Sequence, residues 1–160
     1  CYSLLREISN AGHTIGIHSA SHDYEKIYAS VDAFLEDFNE AYEIVLEATG
    51  KAPDIYRFPG GSVNDYNEKT RDDIIAEMDR RGFTYFDWNV DSNDWQGYGW
   101  TTLYTNVLKD AEEFSSPVIL FHNTGDRDNT VLVIEDIIKA LKDKGYKFGS
   151  LSQKIKPVQF

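Results

Sequence analysis

Five times along this chain a segment of helical periodicity gives way to a short apolar, β-rich run, and that alternation narrows the fold to one class. Strands that take turns with helices read as βα units and close into a parallel sheet or barrel. Residues 3–11 carry Leu4, Leu5 and Ile8 at helical spacing, and Gly12 stops them. Residues 14–18 form the first β-rich run. A long amphipathic helix follows over 31–49, with Phe34, Leu35, Phe38, Tyr42, Val45 and Leu46 on its apolar face and Gly50 at its end. The pattern continues with a strand over 55–58 and a helix over 68–81, capped by Asn67 and stopped by Gly82. A strand over 83–90 and a helix over 102–114 behind Thr101 come next. A buried strand over 118–122, a helix over 130–144 closed by Gly145, and a last strand over 146–148 followed by a turn of helix complete the chain. The expected fold is therefore α/β, a single domain over residues 1–160. The pattern opens on a helix where an α/β barrel usually opens on a strand, so the expectation is an incomplete barrel whose first strands lie upstream.

Composition bounds the function. With 41% hydrophobic and 14% aromatic residues, the chain can fill a core. A formal charge of −11, with none of its 16 basic residues in a dense run, excludes a phosphate-binding face and so nucleic acid or an anionic membrane as partner. No apolar run is long enough to span a bilayer. Cys1 is the single cysteine, which rules out an internal disulfide and a thiolate-rich metal site.

The polar residues that carry chemistry cluster at the ends of four successive strands, where parallel α/β folds build their sites. His18-Ser19-Ala20-Ser21-His22 follows the first. Two histidines four apart can grip one metal ion, although such a pair alone fits a couple of unrelated surface histidines as well. A third protein ligand is needed, and the adjacent Asp23 is sterically awkward for the same ion. Arg57-Phe58-Pro59-Gly60-Gly61 ends the second strand, where glycines let backbone N–H groups approach a ligand or simply make a turn. The stretch from Asp87 to Trp95 includes Trp88, Asp91 and Asp94, mixing carboxylates that can tune a histidine with rings that can stack on sugars. Tyr98 and Trp100 add aromatic surface. His122 ends the apolar run Val118-Ile119-Leu120-Phe121, and a histidine beside a carboxylate can serve as a general acid. His13 sits before the first strand and reads as structural.

Taken together, these motifs resemble the NodB-homology polysaccharide deacetylases, carbohydrate esterase family 4, over nearly the whole chain. The resemblance implies a distorted, incomplete (β/α) barrel and a divalent metal, zinc or else cobalt or nickel, held by His18, His22 and an aspartate. It implies that Arg57 holds the catalytic base and that the backbone near Gly60 receives the oxyanion. It further implies that Trp88 and Trp95 line the groove, that Leu120 walls the acetyl pocket, and that His122 is the acid. Tryptophan-to-aspartate spacing favours Asp94 over Asp91 as its tuning partner. The family's first motif, an Asp-Asp-Gly on the opening strand, supplies the base and the third ligand, and no Asp-Asp-Gly occurs in this sequence. Asp72-Asp73 sits in a helix and is no substitute. A missing N-terminal segment of the same domain is thus an expected partner, and the chain alone is expected to be crippled.

The implied activity is de-N-acetylation of a β-linked amino-sugar polysaccharide, peptidoglycan N-acetylglucosamine first and chitin next, outside the cell or at its surface. Two alternatives stand beside it: a carbohydrate-binding remnant without chemistry, and an acetylxylan esterase.

Overall fold

A computed structural model of the chain describes residues 2–125 and 128–160; Cys1 lies outside them. The chain divides into two compact units, one of Cys1–Asp87 with Ser150–Phe160 and the other of Trp88–Gly149. No helix is long and apolar enough to cross a membrane among the described residues.

The first unit contains α1 (Tyr2–Asn10), α2 (Tyr24–Ile27), α3 (Val31–Thr49), β1 (Ile55–Tyr56), α4 (Arg71–Arg80) and β2 (Thr84–Tyr85). The long helix forms over the expected residues because both its ends are built into the sequence. The Ser30 hydroxyl accepts from the Ala33 N–H at 3.1 Å, and Gly50, at φ 69°, donates its N–H to the Leu46 carbonyl at 2.8 Å. Its inner face brings Phe34 and Phe38 against Tyr56, Phe58 and Phe83 in an aromatic core, with the Phe38 and Phe83 rings edge to face at 4.9 Å. β1 and β2 run parallel, pairing Ile55 with Thr84 and Tyr56 with Tyr85.

The second unit contains β3 (Val90–Asp91), a 3₁₀ turn (Asp94–Gln96), α5 (Trp100–Ala111), β4 (Ile119–Leu120) and α6 (Asp128–Asp143). β3 and β4 are also parallel, pairing Val90 with Ile119 and Asp91 with Leu120. α5 buries Leu103, Val107 and Ala111, a strict four-residue spacing, and α6 answers with Val133, Ile137 and Leu141.

Several expected boundaries are corrected. The run over 14–18 contributes only a bridge, Ile17 to Tyr56, and Gly16 sits so close to Ile55 that a Cβ there would lie 3.0 Å from its carbonyl oxygen. The strand over 83–90 is two strands. Between them the Phe86 N–H still donates to the Tyr56 carbonyl, but the Asp87 N–H turns to the Val158 carbonyl. Asn67 does not cap α4, which starts at Arg71 behind Thr70, because its side chain is bonded into the preceding loop. Gly99, not Thr101, stands at the start of α5. No strand forms over 146–148. Gly145 donates to Lys142 and Tyr146 to Leu141, so these residues close α6 in a Schellman motif. The expected last turn of helix is a plain turn, with Ile155 donating to Ser152.

Candidate active site

In the first unit the histidine pair stands on a loop whose shape is set from beneath by a buried carboxylate. Asp37, on the inner side of α3, accepts hydrogen bonds from the Ser19 hydroxyl at 2.6 Å, the Ala20 N–H at 3.0 Å and the Ser21 N–H at 2.8 Å. Burial pushes this carboxyl up, but the bonds from Ser19, Ser21 and Ala20 more than offset it and hold it below the usual carboxylate range. Ser19 passes the constraint on, because its oxygen also accepts the His22 N–H at 2.8 Å. His22 is thereby fixed at φ 54°, a left-handed conformation uncommon for a side-chain-bearing residue.

The His18 Nδ1–H donates to the Arg57 carbonyl at 2.9 Å, which puts the lone pair of a neutral ring on Nε2. The His18 and His22 ring centroids are 5.2 Å apart and tilted by 55°. A backbone-anchored Nδ1 with a second imidazole beside it is the donor set a divalent metal takes, so these residues fit two ligands of such a site. Among the described residues no three histidine, cysteine, aspartate or glutamate side chains gather close enough to hold an ion without help. Asp23 is committed elsewhere, capping α2 through the Lys26 N–H.

Arg57 leaves β1 half-buried, with its Nε–H on the Phe86 carbonyl at 3.1 Å. Burial lowers its pKa and the nearby Asp87 works against that. Beyond it, Gly60 and Gly61 have φ of 77° and 84°. Gly61 makes the turn's own bond to the Phe58 carbonyl, and a Cβ on Gly60 would stand 3.2 Å from the Tyr24 hydroxyl. The Ser62 N–H and hydroxyl end on the buried Asp87 at 2.9 and 2.5 Å, and Phe160 donates to the same carboxylate. Asp87 thus fastens this loop and the C-terminus.

The second unit holds the acid–base candidates. Asp94, fully buried in its side chain, accepts the His122 Nδ1–H at 2.7 Å through one oxygen. Its other oxygen accepts the His122 backbone N–H and the Thr130 hydroxyl, each at 2.8 Å. Burial raises the Asp94 pKa, but these bonds and the nearby histidine bring it below the usual value. Asp91 instead accepts the N–H of Asn93, which is itself left-handed at φ 56°. Of the two aspartates, only Asp94 is bonded to His122. Leu120 is buried in β4, Trp88 is half-buried, and Trp95 lies largely in solvent. Asp37 and Thr130 escape sequence reasoning. The one available signal was a charge set between Phe34 and Phe38 on an otherwise apolar helix face.

The sequence profile of the polysaccharide deacetylase family matches residues 2–83, a little over half of the chain. A peptidoglycan-N-acetylglucosamine deacetylase of Bacillus cereus is 29% identical, over 98% of this chain and 57% of its own length. Among solved structures, the catalytic domain of peptidoglycan N-acetylglucosamine deacetylase from Eubacterium rectale superposes with a TM-score of 0.93 at 31% identity, covering 99% of this chain and 74% of that one. A polysaccharide deacetylase from Bacillus cereus gives 0.84 at 29% identity, covering 99% and 77%. The chain has the mixed α/β fold of these domains, and it spans about half the length of the curated relatives it matches.

Proposed function

Since this chain belongs to the polysaccharide deacetylase family, we propose that the protein removes N-acetyl groups from a β-linked amino-sugar polysaccharide at or outside the cell surface, with peptidoglycan N-acetylglucosamine as the first substrate. The observation that carries this reading is the bond from His122 Nδ1–H to the buried Asp94. A binding remnant gains nothing from burying a carboxylate under three donors in order to aim one half-exposed imidazole. A hydrolase gains an acid of fixed tautomer.

In this reading His122 Nε2–H protonates the leaving nitrogen as the C–N bond breaks, while Asp94 stabilises the cationic ring. Water adds to the acetyl carbon, and acetate and a free amine leave. The backbone N–H at Gly60 is assigned to the developing oxyanion, where a side chain at that position would meet the Tyr24 hydroxyl. His18 and His22 are the residues here that would hold a divalent ion, zinc first and cobalt or nickel as alternatives, which supplies Lewis acidity toward the acetyl carbonyl when bound. Leu120 is assigned to the acetyl pocket, and Trp88 and Trp95 to the sugar. Arg57 is assigned to holding the general base. No Asp-Asp-Gly occurs in the sequence and, among the described residues, no third ligand gathers with the histidine pair, so the reading leaves the base and the third ligand unassigned.

The test is acetate release by the full-length protein from peptidoglycan, N-acetylglucosamine oligomers and acetylated xylan in parallel. Release from the two amides with little from the ester is the expected result. Release from the xylan ester alone, or from none of the three, overturns the proposal.

A further inference from the structure

Beside the histidine pair runs a short line of rings to which none of these assignments gives a role. The His22 and Tyr24 centroids are 5.2 Å apart, and Tyr24 and Tyr66 are again 5.2 Å apart, the latter pair edge to face. Tyr24 is wedged: Tyr28 lies at 6.2 Å behind it, and its hydroxyl stands where a Gly60 side chain would be. Tyr66 is the opposite case, 54% exposed despite its contact with Tyr24. Its backbone is nevertheless pinned. Asn64 Oδ1 accepts from the N–H groups of both Tyr66 and Asn67, and the Asn67 side-chain amide is buried and donates to the Gly61 and Ser62 carbonyls.

A large amphipathic ring held in solvent by a rigid loop loses little entropy when a ligand covers it, which is the condition for an efficient stacking surface. The chain's charge of −11 disfavours a nucleobase as that ligand, since its phosphates would be repelled. A neutral pyranose, with polar edges and an apolar C–H face, meets no such penalty. We propose that Tyr66, backed by Tyr24, is a sugar-stacking subsite that binds the pyranose next to the one whose acetyl group is presented at the histidine pair. This deepens the deacetylase reading and rests on it for the identity of the glycan.

The experiment is equilibrium binding of a soluble N-acetylglucosamine oligomer to the full-length protein by calorimetry, for wild type, Tyr66→Ala and Tyr66→Phe, with acetate release followed alongside. Loss of the ring is expected to weaken binding roughly fivefold to tenfold, and Tyr66→Phe is expected to recover most of it. Wild-type affinity in Tyr66→Ala overturns the inference, as does a Tyr66→Phe protein as weak as Tyr66→Ala. Binding that depends on the ring without any acetate release keeps the subsite and removes the deacetylase reading. Acetate release with binding indifferent to Tyr66 does the reverse. A wild-type protein that does not bind the oligomer removes both.

Discussion

Asp94 does more for His122 than a nearby negative charge could, because it is bonded to the ring and to the backbone of the same residue. An asparagine there keeps the size but offers one acceptor where three donors converge, and its amide confronts either the imidazole or Thr130. Asp94→Asn in the full-length protein is therefore expected to lower kcat by about 10²–10⁴-fold, measured as acetate release. Turnover within a few-fold of wild type would remove the acid role from His122. The family resemblance, through its tryptophan-to-aspartate spacing, pointed to Asp94 over Asp91, whereas Asp37 was invisible, since nothing in a helix pattern says which loop a buried carboxylate holds. Asp37 also makes a prediction about pH. Its folded pKa lies below the ordinary value, so the unfolded chain binds the proton more tightly. The stability it contributes is complete above the ordinary carboxylate pKa of about 3.9 and is lost as pH falls through the lowered value. Urea midpoints compared at neutral pH and at a pH of about 3 should fall less in Asp37→Asn than in wild type. At neutral pH the variant should already be weaker, by about 1–3 kcal/mol for the donors left imperfectly paired. Equal acid sensitivity in both proteins would show that the carboxylate is not what ties down residues 19–21.

The long helices were legible in extent and the strands only in place, for a reason of length. α3 repeats its apolar spacing over five turns and carries both caps, so periodicity and end signals agree. The strands are two residues each, too short for any period, and the apolar run over 83–90 hides a change of pairing partner at Asp87 that only the fold can reveal. The N-caps were not legible: neither Asn67 nor Thr101 caps its helix, while Ser30, which does, went unread, and Ser30→Ala is expected to cost about 1 kcal/mol in urea denaturation. Thr101 is exposed inside the first turn of α5, with Gly99 in the capping place, so Thr101→Ala should stay within about 0.5 kcal/mol of wild type. A loss of about 1 kcal/mol or more at Thr101 would mean that α5 starts where the sequence suggested. The second unit's core gives the larger effect: Ile137, 1% exposed in the cluster with Val107 and Val133, should cost about 2–5 kcal/mol as alanine.

For the molecule as a whole, the order of motifs along the chain was the legible part. The Arg57 carbonyl orients the His18 ring and the Ser19 hydroxyl fixes the His22 backbone, yet two imidazoles are fewer than a stable zinc site requires. If the full-length protein completes the site, metal binds the folded state and not the unfolded one, and stability must rise with metal concentration. Zinc at about a hundred times its dissociation constant should add about 2.7 kcal/mol, read as a rise in melting temperature that a chelator reverses. The same titration on a His18→Ala, His22→Ala double variant separates this site from adventitious binding to a chain with 27 acidic side chains. A shift that survives in the double variant, or none in wild type, would leave the histidine pair without a metal and require another role for the loop that Asp37 holds in place.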